Sequence, residues 1–149
     1  MKQKDRFRCA EKYLYEYMKN VACLKVLRDD LQIKRAGSDV KAQNYQSPFG
    51  FTGEPSNPVY THVVSIETLE ERIKQLERWT KPIAQMIADL NNQYALSGSK
   101  NADLVQILEL MYFGSNRPEV VIDKLQIARR TFTRRRHELV HLTVDYLGL

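Results

Sequence analysis

The chain is organised around residues 118–147, which read PEVVIDKLQIARRTFTRRRHELVHLTVDYL. Pro118 suits the first position of a helix, because its missing N–H would have no hydrogen-bond partner there. Val121, Ile122 and Leu125 follow at helical spacing and form an apolar stripe. The stretch therefore opens with a short helix that needs a core to pack against.

A second helix, residues 129–147, is predicted after a turn of only three residues, 126–128. Its apolar residues recur at helical spacing and would face a core: Phe132, Leu139, Leu142 and Tyr146. Its other face opens with polar and basic residues: Arg129, Arg130, Thr133, Arg134 and His137. A short helix, a tight turn and a basic helix are typical of a helix-turn-helix, whose second helix places its N-terminal residues on base edges in the DNA major groove.

Positive charge is concentrated around this turn. The chain has a net charge of +5 and a pI near 9.2. Residues 124–136 hold six basic residues and no acid: Lys124, Arg129, Arg130, Arg134, Arg135 and Arg136. Such a density of charge suggests a polyanion as partner, with a merely solvated helix face as the alternative.

The composition favours a globular, helical chain. Of 149 residues, 43% are hydrophobic and 28% charged, while only 6 are Gly and 5 are Pro. No apolar run approaches the roughly 20 residues that a membrane span needs, and the polar start MKQKD is not expected to act as a signal peptide. We therefore expect a cytoplasmic protein with no membrane partner. Cys9 and Cys23 are too few for a disulfide framework and are expected to be reduced thiols.

Two long helices are predicted in the N-terminal part. Between about Asp5 and Leu31 the apolar residues fall on a heptad: Phe7, Ala10, Leu14, Tyr17, Val21, Leu24 and Leu31. A second heptad follows Asn57-Pro58: Val59, Ile66, Leu69, Ile73, Leu76, Ile83, Ile87 and Leu90. Pro82 is expected to kink or divide this second helix. The two stripes would pair as an antiparallel hairpin, or serve as a dimerisation stalk.

Loops and linkers separate these helices. Residues 32–57 have no apolar period and are rich in Gly, Pro and Ser, so they are predicted to form a loop. Residues 91–101 are predicted to be a linker, with a third helix following up to about Phe113. We expect an all-α fold with two domains: a long N-terminal helical hairpin, residues 1–95, and a C-terminal three-helix unit containing the helix-turn-helix, residues 101–149.

Residues 137–141 spell HELVH, the H-E-x-x-H pattern in which two histidines hold zinc and the glutamate activates its water. A catalytic zinc needs a third protein ligand, and Asp145 is the sole candidate in the eight residues that follow His141. The three arginines directly before the motif would also repel a divalent cation. We therefore expect no catalytic residue, no metal and no cofactor, with a zinc metallopeptidase as a remote alternative.

The C-terminal part resembles a known family. The matching residues are Tyr112-Phe113, then Val121-Ile122-x-x-Leu125-x-Ile127-Ala128-Arg129-Arg130-Thr131-Phe132-x-Arg134-Arg135-Arg136, and finally Tyr146-Leu147-Gly148-Leu149. They are similar to the small phage transcriptional regulators of the RinA and ArpU type, whose C-terminal part looks like the helix-turn-helix of sigma-factor region four. The resemblance implies an activator of late phage genes. Gln126 stands where this pattern often has Gly, and Ala128 where it usually has a Ser or Thr cap.

This pattern also assigns roles around the turn. Five residues would face the groove: Arg129, Arg130, Thr133, Arg134 and His137. Of these, Arg130 and Arg134 are the expected base readers, because arginine binds guanine O6 and N7 in a bidentate way. Five more would contact phosphates, which fix register without reading sequence: Arg117, Lys124, Thr131, Arg135 and Arg136. For the last two, the alternative is a scaffold role in a pair with Glu119 or Asp123.

The expected partner is double-stranded DNA, with host RNA polymerase as a second candidate. A homodimer through the N-terminal helices is expected, because two-fold pairing doubles the DNA site that a lone helix-turn-helix reads. The alternative in another class is a phage structural or packaging component, such as a small terminase-like subunit. Oligomer size separates the two, because packaging subunits form rings while regulators are usually dimers.

Overall fold

The computed structural model describes residues 2–43, 58–97 and 99–149. Within these ranges the chain forms helices and no strand, so the predicted all-α fold is confirmed. The helices are α1 (Gln3–Gln43), α2 (Pro58–Ser97), α3 (Ser99–Ile107), α4 (Pro118–Leu125) and α5 (Arg129–Leu147). A wider π-helical segment, Leu108–Phe113, continues α3. No helix in the described part of the chain combines the length and the apolar character needed to cross a bilayer.

The first helix is longer than the sequence predicted. The predicted loop 32–57 is wrong for residues 32–43, because α1 continues to Gln43; residues 44–57 lie outside the described residues. The stretch from 32 to 43 holds no proline and only one glycine, Gly37, which weakens a helix by about 1 kcal/mol without ending it. An ion pair also joins Arg35 of this extension to Glu70 of α2.

The second helix is also continuous. It is not divided at Pro82, because Thr80 and Ile83 on either side of the proline are buried and their packing offsets the lost backbone hydrogen bond. The predicted linker 91–101 is wrong as well, since α2 extends to Ser97 and α3 begins at Ser99.

The described helices divide into two compact units. One unit spans residues 21–77, where Leu24, Leu27 and Leu31 of α1 pack with Ile73 of α2. Ion pairs from Arg28 to Glu77, at 2.6 Å, and from Arg35 to Glu70 show that the two helices run antiparallel here. The predicted domains, 1–95 and 101–149, stay a prediction.

The heptad of α1 is only partly correct in this unit. Val21 lies on the predicted stripe but is 39% exposed, whereas Leu27, which is off it, is 8% exposed. A straight α-helix drifts by about 20° per heptad relative to a strict seven-residue repeat, so the buried face moves away from the predicted positions.

The other unit comprises Met1–Asn20 and Arg78–Leu149 and holds the larger core. The buried face of α5 consists of Phe132, Leu139, Val140 and Thr143. It packs in one cluster with Leu14 of α1, Met86 of α2 and Val121 of α4. Tyr146 adds a hydrogen bond of 2.5 Å to Asp89 of α2. The inner face of α5 is therefore fixed by its neighbours, which leaves its other face available.

Candidate nucleic-acid interface

The turn between α4 and α5 is tight and uses an uncommon backbone conformation. Gln126 has φ 52° and ψ 42°, in the left-handed region that glycine adopts most easily. Ala128 is extended and makes no side-chain cap, as expected of an alanine, while its carbonyl accepts a hydrogen bond of 3.0 Å from Phe132 N–H. The start of α5 is therefore formed without a side-chain cap.

The five residues predicted to face the groove all lie on the exposed side of α5. They are Arg129, Arg130, Thr133, Arg134 and His137. The Thr133 hydroxyl donates to the Arg129 carbonyl at 3.0 Å, which holds that side chain against its own helix. The guanidinium groups of Arg129, Arg130 and Arg134 make no ion pair or hydrogen bond within the part of the chain that the structure describes. We name these five residues the basic face.

Arg136 lies on the other side of the helix, against α1. Its Nε and Nη2 atoms donate to Oε1 of Glu11 at 2.9 and 2.5 Å, and Tyr112 donates to the same oxygen at 3.0 Å. Burial lowers the pKa of Arg136, but hydrogen bonds to Glu11 and Tyr112 and the charge of Glu11 raise it above its ordinary value. Burial, and next the charge of Glu11, raises the pKa of Tyr112 well above its ordinary value. Arg136 and Glu11 therefore form an ion pair, and the Tyr112 hydroxyl donates a hydrogen bond to the same carboxylate.

Arg135 is also held by acids. Its Nη1 atom donates to Glu138 at 2.8 Å, and its Nε atom lies 3.7 Å from a carboxylate oxygen of Asp103 on α3. That Nε atom is buried and has no hydrogen-bond acceptor among the described residues. The predicted scaffold partners, Glu119 and Asp123, are therefore wrong; the acids that hold the two arginines come from α1, α3 and α5 itself.

The other predicted phosphate contacts lie at the two ends of α4 and at the start of α5. Arg117 is the residue before α4 and is exposed, as is Lys124 in its last turn. Thr131, in the first turn of α5, is half-buried. Arg117 and Lys124 are therefore exposed cations that form no ion pair among the described residues.

The start of α1 lies beside the middle of α5. The ring of Phe7 lies 5.1 Å from that of His137 and 5.8 Å from that of His141, measured between centroids. An open cleft of about 450 Å³ surrounds this contact, and its other lining residues are Gln3, Lys4, Arg8 and Glu11. None of these α1 residues was predicted from the sequence to belong to the site. The excess of basic residues in the segment 1–36 was the available signal: ten Lys or Arg against five Asp or Glu.

The H-E-x-x-H residues have other contacts. Glu138 is engaged by Arg135, and both His137 and His141 are in ring contact with Phe7. Among the described residues, no group of three or more His, Cys, Asp or Glu side chains is arranged to hold a metal ion. The motif therefore supplies surface and packing contacts in this structure.

No protein-family model, curated protein or solved structure matches this chain significantly.

Proposed function

We propose that this protein is a sequence-specific regulator of transcription that binds double-stranded DNA through α5. The observation that carries the proposal is the sorting of the five arginines in the first half of α5. Arg135 and Arg136 are held by acids, whereas Arg129, Arg130 and Arg134 are exposed and without an acidic partner in the described part of the chain. Exposed arginines of like charge on one helix face repel each other, and a polyanion relieves that repulsion.

The role that we propose for each side chain follows from its position on α4 or α5. Arg130 and Arg134 read base edges in the major groove, because arginine binds guanine in a bidentate way. Arg129, Thr133 and His137 complete the surface that enters the groove. Arg117 and Lys124, exposed at the two ends of α4, contact phosphates and fix the register. Activation of late phage genes in the cytoplasm of a bacterial host, with host RNA polymerase as a further partner, is proposed from the family resemblance alone.

A homodimer is part of the proposal, but its surface differs from the expected one. Leu24 and Leu31, on the predicted seam, are covered by α2 of the same chain. Val26 and Ile33 of α1 are instead 59% and 69% exposed. Burying such side chains against a second copy removes apolar surface from water, so we propose this outer face of α1 as the dimer contact.

Binding of a random-sequence duplex, measured by fluorescence anisotropy against salt concentration, tests the proposal. Because each neutralised phosphate releases counterions, the affinity is expected to fall steeply between about 50 and 200 mM salt. Replacing Arg129, Arg130 and Arg134 together by alanine should weaken binding and flatten this dependence. The matched control replaces Lys25, Arg72 and Lys74, three exposed cations of the other compact unit, and should bind like the wild type. No binding by the wild type, or equal losses in both triple variants, would contradict the proposal.

A further inference from the structure

We infer that the first two turns of α1 form a second DNA-contacting element, in which Lys4 and Arg8 bind phosphates at the edge of the groove that α5 enters. The inference rests on the proposed function and extends its contact surface to a part of the chain more than a hundred residues away in sequence. Phe7 packs on both His137 and His141, and this contact holds the start of α1 beside the middle of α5.

The charge around this contact is strongly positive. Lys4 and Arg8 line the cleft and are exposed, and neither forms an ion pair within the described residues. They lie one helical turn apart, at i and i+4, and so share a face of α1. Glu11 is the one acid that lines the cleft, and its carboxylate is already engaged by Arg136 and Tyr112. Asp5 is the sole acid in residues 2–8, against four cations.

The spacing along α5 places this element near the phosphates. From Arg130 to His137 the helix rises about 10 Å, at 1.5 Å per residue. The major groove is about 8.5 Å deep, so the phosphates that border it lie about that far from the base edges along an inserting helix. A helix that inserts its N-terminal end therefore reaches the phosphates bordering the groove at about the level of His137, where Lys4 and Arg8 stand beside it. Lysine and arginine at such a position neutralise phosphates without reading sequence.

The start of α1 is held in a fixed position against α5. Phe7 is half-buried, and Arg136 of α5 holds Glu11, so two separate interactions fix this end of α1 against α5. A cation on a fixed helix loses less conformational entropy on binding than one on a free tail. Lys4 and Arg8 are therefore presented at a defined distance from the basic face.

The test compares the full-length protein with the double variant Lys4→Ala and Arg8→Ala. Its matched control is Lys25→Ala with Arg72→Ala, which removes the same charge from exposed positions in the other compact unit. All three proteins are titrated onto one random-sequence duplex at several salt concentrations. Since each phosphate contact contributes about 0.9 to the slope of log K against log salt, the double variant should lose about 1.8 of slope and the control should lose none.

The possible failures are distinct. If the wild type binds with a steep salt dependence and the double variant matches the control, the phosphate role of Lys4 and Arg8 is wrong while the proposed function stands. If the wild type does not bind the duplex, the proposed function fails and this inference fails with it. Selection from a random pool gives a second readout: the double variant should enrich the same motif as the wild type, and a changed motif would overturn the assignment to phosphates.

Discussion

Arg136 and Glu11, 125 positions apart in the chain, are joined by two hydrogen bonds to a single carboxylate oxygen, at 2.9 and 2.5 Å. The pair links α5 to α1 directly beside the basic face. Their side chains are 30% and 17% exposed, so water screens the interaction only in part. The pair therefore adds to the buried inner face of α5 a second contact that holds this helix against α1.

Replacing Arg136 by methionine should lower the free energy of unfolding by about 1–2 kcal/mol, because it leaves the Glu11 carboxylate half-buried without its cation. Arg134→Met, two residues earlier on the exposed side, should change it by less than about 0.5 kcal/mol. Urea denaturation followed by circular dichroism measures both. Equal effects would mean that the pair to Glu11 contributes nothing to stability.

Alkaline pH should destabilise the fold through Tyr112. Burial and the nearby Glu11 charge raise the pKa of Tyr112 in the folded state, so the folded protein keeps this phenol protonated after the unfolded chain has begun to lose the proton. The stability is fully present below the ordinary tyrosine pKa of about 10 and is lost as pH rises above it, by up to about 1.4 kcal/mol per pH unit for this group.

Tyr112→Phe tests this dependence. The variant loses the hydrogen bond to Glu11 and about 1 kcal/mol at neutral pH, but its stability should fall less steeply between pH 10 and 12. The raised pKa values of Tyr13, Tyr15 and Tyr17, each due mainly to burial, leave a residual slope. Parallel stability curves for variant and wild type would contradict the assignment to Tyr112.

Gly148 ends α5 in the left-handed conformation, with φ 65°, and its N–H donates to the Asp145 carbonyl at 3.2 Å. Gly148→Ala should lower the free energy of unfolding, measured by urea denaturation, by about 1–2 kcal/mol, because a Cβ is disfavoured at positive φ. Gly37→Ala is the control within α1, where an added Cβ meets nothing within 4 Å. It should instead raise stability by about 0.5–1 kcal/mol. If Gly148→Ala is neutral or stabilising, this helix end does not depend on glycine.

The local helices were predictable from sequence, whereas the long-range contacts were not. The limits of α4 and α5 agree with the prediction because Pro118 and the apolar spacing of residues 121–125 are local signals. The continuation of α1 to Gln43 was missed because Gly37 and Ser38 read as breakers, although a single glycine does not end a helix.

In the candidate site, too, local features were predictable from the sequence and long-range contacts were not. The exposure of the basic face followed from helical periodicity, since Phe132 and Leu139 mark the opposite, buried side. No periodicity relates Glu11 to Arg136 or Phe7 to His137, because those pairs depend on how distant helices pack. The exposed face of α5 could therefore be predicted from a single sequence. The acids that hold Arg135 and Arg136, and the part of α1 that lies beside α5, could not.

The dimer surface can be tested separately from the fold. Val26→Asp with Ile33→Asp should give a folded monomer, because both side chains are more than half exposed within the chain. Leu24→Asp, at a position 5% exposed, should unfold the protein by burying an unpaired carboxylate. Light scattering with circular dichroism measures both properties. A monomeric wild type at micromolar concentration would refute the dimer, and a larger ring would favour the packaging alternative.

The most direct test of the central claim is selection of duplexes from a random DNA pool by the full-length wild type and by Arg134→Ala. The wild type should enrich a single motif containing guanine, and Arg134→Ala should tolerate any base at one position of that motif while losing about 1–3 kcal/mol of specific binding. The matched variant Arg72→Ala, on α2, should enrich the wild-type motif unchanged. If Arg134→Ala weakens binding to selected and random duplexes equally, Arg134 contacts a phosphate and does not read a base. If the wild type enriches no motif, the claim that α5 reads DNA sequence is wrong.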